Sequence, residues 1–95
     1  MRREERLRRA SEFAAVHQEG RSLAHPLFVF RIRRNSLPHN RYGFVTSRRI
    51  GKAVARNRAR RRLREAMRRL SLLPGWDIVV VARPAINGAR SWSRV

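Results

Sequence analysis

Between residues 52 and 70 the chain carries guanidinium groups at Arg56, Arg58, Arg60, Arg61, Arg62, Arg64, Arg68 and Arg69, with Glu65 as the single carboxylate. A guanidinium is a permanently charged planar fork that matches phosphate oxygens two at a time. The chemistry open to such a row is the binding of a polyanion. Like charges three or four residues apart on a helix repel by a few tenths of a kcal/mol per pair. A solvated helix face usually mixes its signs, so a one-sign row points to a partner that neutralises it.

Groups for covalent or acid–base work are not brought together by the sequence. Glu4, Glu5, Glu12, Glu19, Glu65 and Asp77 are scattered, and His17, His25 and His39 show no ligand spacing. There is no cysteine, which removes thiolate nucleophiles, disulfides and cysteine-built zinc sites. The polypeptide is therefore expected to hold no catalytic groups and no metal site of its own. Lys and Arg together number 24 against six acidic residues, a formal charge of +18 on 95 residues, and Lys52 is the only lysine. No stretch approaches the roughly 18 to 20 apolar residues of a membrane span, and Met1 to Arg6 lead into no segment of signal-peptide length. The expectation is a cytoplasmic chain with no membrane and no obligate protein partner.

The basic row needs a scaffold. Lys52 to Leu70 contain neither Gly nor Pro and are rich in Ala, Leu and Arg, which predicts a helix of roughly 28 Å at about 1.5 Å per residue. At 100° per residue Ala55, Ala59, Leu63, Ala66, Met67 and Leu70 share the buried seam. Asn57, Arg61, Arg64 and Arg68 lie nearly opposite, with Arg58 and Arg69 beside them. Arg56 and Arg60 fall at one edge of the seam and Arg62 at the other, where their stems can cover the core. The preceding Ser47-Arg48-Arg49-Ile50-Gly51-Lys52 adds the cations Arg48, Arg49 and Lys52 and the open N–H groups of a helix start.

Around this helix the pattern predicts a basic arm over residues 1–10 and a short helix from an N-cap at Ser11 to about Glu19, ended by Gly20. Phe13, Val16 and His17 share one face of it. Leu27 to Arg33 alternate as a strand, with Phe28, Phe30 and Ile32 on one side and Leu27, Val29, Arg31 and Arg33 on the other. The turn formers of Asn35 to Asn40 predict that Arg41 to Ser47 return as the second arm of a hairpin. Asp77 to Arg83, with Ile78 to Ala82 apolar throughout, reads as a central strand covered on both faces, ended by Pro84. Residues 85–95 read as a short, broken tail. One core suffices for a chain of this length, so residues 1–95 form a single domain.

The string Lys52-Ala53-Val54-Ala55-Arg56-Asn57-Arg58-Ala59-Arg60-Arg61-Arg62-Leu63-Arg64-Glu65-Ala66 resembles the Arg-Asn-Arg helix of the bacterial ribonuclease P protein family. The resemblance extends to Arg6-Leu7, the Phe13 helix, Gly20, Arg41-Tyr42-Gly43-Phe44, Ile50-Gly51 and Val79 to Arg83, and so runs from about Arg6 to Pro84. It implies an α+β sandwich of order α-β-β-α-β with a mixed sheet and a left-handed βαβ crossover, like domain 2 of ribosomal protein S5. It also implies a catalytic RNA as partner, precursor tRNA as substrate, removal of the 5′ leader by hydrolysis, and Mg²⁺ required by the RNA. By position, Arg56, Asn57, Arg58, Arg60, Arg61, Arg64 and Arg68 match the helix that lies against the catalytic RNA. Phe13 and His17 match the border of a cleft for the single-stranded leader, which Arg31 and Arg33 could also line. Relatives continue past the last strand into a further helix, which is expected to be truncated here.

The residues themselves leave alternatives open. Phe13 equally satisfies a core contact between helix and sheet, His17 an ordinary surface position, and Arg31 and Arg33 a solvated sheet face. Charge, size and fold class would also serve a ribosomal or other structural RNA-binding protein with no processing role.

Overall fold

The computed structural model describes residues 3–70 and 72–88. A 3₁₀ turn at Arg3–Glu5 leads into helix α1 (Ala10–Glu19), strands β1 (Arg21–Ala24), β2 (Phe28–Arg34) and β3 (Arg41–Val45), and a 3₁₀ turn at Arg48–Ile50. Helix α2 (Ala53–Arg69), strand β4 (Trp76–Ala82) and a last 3₁₀ turn at Pro84–Gly88 complete the order. The four strands form one mixed sheet in the order β1-β2-β4-β3.

β4 takes the centre because Ile78 and Val80 point to one face and Val79 and Val81 to the other, so it gains only where both faces are covered. It pairs antiparallel with β2, Phe30 opposite Val80, and parallel with β3, Gly43 opposite Val79. Its insertion overturns the expected hairpin of residues 27–33 with 41–47: β2 and β3 are not neighbours. The link between them spans the width of a strand instead, held by the Asn35 N–H to the Gly75 carbonyl (2.9 Å) and by Asn35 Oδ1, which accepts from the Leu37 N–H (2.8 Å). The real hairpin is β1–β2, turning at His25 to Leu27, where His25 stacks on Phe28 with ring centroids 4.3 Å apart.

One helix covers each face. Under α2 lie Phe28, Ile78, Val80 and Ala82 from the sheet, Ala59, Leu63, Ala66 and Met67 from the helix, and Ile86 from the last turn. Under α1 lie Leu7, Val16 and Val79, with Phe13, Val45 and Val81 around them. Burying a Leu- or Phe-sized side chain contributes about 1.5–3 kcal/mol, so the α2 face holds most of the apolar stabilisation.

Two further expectations are corrected. Helix α1 is capped from Arg9 and not from Ser11: the Glu12 carboxylate reaches back to accept from the N–H groups of Arg8 (2.8 Å) and Arg9 (2.9 Å). The tail opens with an ordered turn whose Ile86 is fully buried, fixed where Arg62 donates to the Ile86 carbonyl (2.8 Å) and Asn87 Nδ2 to that of Ala55 (3.1 Å). Trp92 and the rest of 89–95 lie outside the described residues.

Candidate nucleic-acid interface

Helix α2 realises the predicted wheel. Ala59, Leu63, Ala66 and Met67 are buried against the sheet, while Asn57, Arg58, Arg61, Arg68 and Arg69 are exposed. Arg56, Arg60 and Arg62 flank the seam half-buried, as their edge positions require, whereas Arg64, expected nearly opposite the seam, is half-buried too. Leu70 departs from the expectation. It is the C-cap residue, its backbone has turned extended, and its side chain is 44% exposed.

Asn57 is tied into the basic face: its Oδ1 accepts from Arg60 Nη1 (3.1 Å), and Arg60 Nη2 donates to Thr46 Oγ1 (3.0 Å). Such bracing holds a long side chain in one geometry and lowers the entropy lost on binding. Arg48, Arg49 and Lys52 are exposed just ahead of α2. Their loop differs from the expectation in one respect. The N–H groups of Arg49, Ile50 and Gly51 are already used by Ser47 Oγ, the Ser47 carbonyl and the Arg48 carbonyl, so the open amides are confined to the start of α2 itself, where Lys52 supplies no side-chain cap. Gly51 has φ +128°, a backbone that side-chain-bearing residues rarely adopt, and this sets the entry angle of α2.

The other sheet face is differently arranged. Phe13 is half-buried over Gly43 and beside Leu7, while His17 is exposed on α1. Arg31 and Arg33 project toward α1, as the strand alternation predicted, but they are engaged there. Arg31 donates to the carbonyls of His17 and Gly20 and to Ser22 Oγ, and Arg33 pairs with Glu19. They neutralise and cap the end of α1, the work of structural cations. The structure thus gathers the α2 arginines on one surface and Phe13 and His17 on the opposite layer.

Sequence reasoning missed a buried ionic cluster beside Phe13. Arg41 donates through Nε and Nη2 to the two Asp77 carboxylate oxygens (2.8 and 2.7 Å) and through Nη1 to Glu12, while Asn35 Nδ2 donates to Asp77 Oδ1 (3.0 Å). Burial penalises the Asp77 charge, yet the hydrogen bonds from Arg41 and Asn35 prevail and hold its carboxyl below the usual range. Glu12 is likewise lowered, first by the backbone N–H groups of Arg9 and Arg8 and then by Arg41. Hydrogen bonding to Asp77 raises Arg41 further. The clue in the sequence was an Asp beginning an otherwise apolar strand.

Fold and surface together define a small, strongly basic α+β domain in which one helix presents a face of a single sign. A family model described as Ribonuclease P matches residues 1–95, and the chain belongs to that family. It is 50% identical over 88 residues to the ribonuclease P protein component of Chloroflexus aurantiacus, covering 87% of this chain and 63% of the relative. It is 41% identical over 87 residues to that of Thermotoga maritima, covering 90% and 74%. The chain thus spans just under two thirds of the Chloroflexus relative's length. Among solved structures, the Thermotoga maritima ribonuclease P protein superposes with a TM-score of 0.81 at 35% identity, covering 95% of this chain and 86% of that one. The Staphylococcus aureus protein gives 0.81 at 28%, covering 95% and 84%.

Proposed function

We propose that this chain is the RNA-binding subunit of a ribonuclease P ribonucleoprotein, docking α2 on the catalytic RNA and assisting removal of the 5′ leader from precursor tRNA. The observation that carries the reading is the α2 surface: Arg58, Arg61 and Arg68 exposed along one rod, with its apolar seam buried. Phosphate contacts of this kind position an RNA without reading its sequence. Phe13, half-buried above the sheet, is the candidate for stacking on unpaired leader bases, worth about 1–3 kcal/mol per base in comparable sites.

Among the described residues no three His, Cys, Asp or Glu side chains come together as a metal site. In this reading the required Mg²⁺ belongs to the RNA subunit. No helix among the described residues is long and apolar enough to cross a membrane. A tRNA-processing role is consistent with a cytoplasmic location.

The test is reconstitution with a ribonuclease P RNA and measurement of 5′ processing at low Mg²⁺, where stimulation by the protein is expected. Cleavage by the protein alone would move catalysis onto the polypeptide. If RNA cross-linked in cells were dominated by ribosomal RNA, a structural RNA-binding role would replace the processing one.

A further inference from the structure

The N-terminal segment is held along the open edge of β3. Arg6 forms a parallel bridge with Tyr42, the Leu7 N–H donates to the Tyr42 carbonyl (2.9 Å), and His39 Nε2 meets the Glu4 carbonyl at 3.1 Å. Successive side chains of an extended segment point to opposite faces. Leu7 is buried on the α1 face, so Arg6 is directed to the α2 face, where Tyr42 also stands. Between arm, strand and helix this leaves a cavity of about 410 Å³ lined by Glu5, Arg6, Tyr42, Arg64, Met67 and Arg68.

Arginines from two separate elements converge on this hollow, and an anion placed there relieves their mutual repulsion. The volume lies within the ~300–1,000 Å³ typical of small-molecule sites, more than a bare phosphate needs and suited to a nucleotide. Tyr42 packs parallel to Phe44 with ring centroids 6.4 Å apart, and its hydroxyl accepts from Asn40 Nδ2 (3.5 Å), which leaves the hydroxyl hydrogen for a ligand. Met67 supplies an apolar wall against which a ribose or base can rest.

We propose that this hollow is a nucleotide site: it takes one phosphate-linked nucleotide of an RNA strand, the phosphate between Arg6, Arg64 and Arg68 and the ribose or base against Tyr42 and Met67. The N-terminal arm thereby becomes part of the RNA interface. The proposal rests on the reading of α2 as an RNA-binding helix and extends it around the edge of the sheet. Without a demand for particular base edges, the site accepts any nucleotide.

The test uses the full chain with ribonuclease P RNA, with and without precursor tRNA, at 50 and 200 mM salt. Arg6→Ala is expected to weaken binding at low salt and, by removing one phosphate contact, to shrink the loss across that interval about threefold. Arg6→Lys should recover most of the affinity. Arg6→Ala combined with Arg68→Ala should cost less than the product of the single effects, because both serve one phosphate. An effect in the complex with ribonuclease P RNA alone assigns the nucleotide to that RNA. An effect only when precursor is added assigns it to the precursor. If Arg6→Ala is silent in both while Arg61→Ala, outside the hollow, weakens binding, the nucleotide site is refuted and the α2 reading stands. If Arg61→Ala is silent as well, both fall.

Discussion

Phe13 rests directly on Gly43: a Cβ added to Gly43 would lie 2.4 Å from Phe13 Cε1 and 2.6 Å from its Cζ. Real carbon atoms do not approach so closely, so the aromatic ring owes its seat to the missing side chain. Gly43→Ala is expected to lower stability by about 1–3 kcal/mol, the usual cost of overpacking. Denaturant melts of Gly43→Ala and of Gly43→Ala/Phe13→Ala check it. On the Phe13→Ala background the clash is gone, so Gly43→Ala should cost less there than it does alone, and equal destabilisation on both backgrounds would show that the ring does not set the requirement.

The same contact separates the two roles of Phe13. Phe13→Ala removes a half-buried ring and should cost about 2 kcal/mol of stability, below the range for a fully buried aromatic. A leader-stacking role predicts more: affinity for precursor tRNA falls about tenfold relative to mature tRNA, while affinity for the ribonuclease P RNA is unchanged. Equal losses for both tRNA forms would make Phe13 a core residue only.

For α2, replacing Arg61, Arg64 and Arg68 together by Ala should leave the helix intact, because Ala is the better helix former. If about six cations contact phosphate, binding by the unaltered chain weakens by about a thousandfold between 50 and 200 mM salt, and the triple variant shows a flatter response. Sulfate should raise the melting temperature of the unaltered chain by binding the folded form, and less so for the variant. Circular dichroism and binding titrations at the two salt concentrations decide it.

The Arg41–Asp77–Glu12 cluster gives a pH dependence of definite sign. Both carboxyls are held below their ordinary values in the fold, so the unfolded chain binds more protons as the solution is acidified. Their contribution is fully present at neutral pH and is lost as pH falls below the ordinary carboxylate range near 4. Arg41 remains charged throughout. Asp77→Asn should cost about 3 kcal/mol at pH 7, the lower end for breaking a buried pair because Arg41 keeps Glu12, and should make the acid limb shallower. A melting temperature independent of pH between 7 and 3 would contradict this.

What could be read from the sequence was what short-range periodicity encodes. Helix α2 announced itself through its seam and its arginines, and β4 through an apolar run with no polar alternation. Strand order could not be read in this way, since Asn35 to Asn40 look the same whether they close a hairpin or bridge an intervening strand. β1 escaped notice because Arg21, Ser22, Leu23 and Ala24 are all exposed and carry no burial pattern. At α1, Ser11 has the composition of a cap, but the Glu12 carboxylate, drawn in by Arg41 from another strand, displaced the cap to Arg9. Arg31 and Arg33 were assigned the correct side of the sheet, while their partners on α1 were set by tertiary contacts alone.

The central position of β4 has a consequence for how the protein is made. β2 and β3 leave the ribosome with nothing between them, and the strand that satisfies both follows only after α2. Every early intermediate therefore carries two unpaired edges and an uncovered apolar layer, and pairing over such sequence distances is slow. The sheet closes only after the arginine-bearing helix has been synthesised, so the chain that completes the sheet already contains α2.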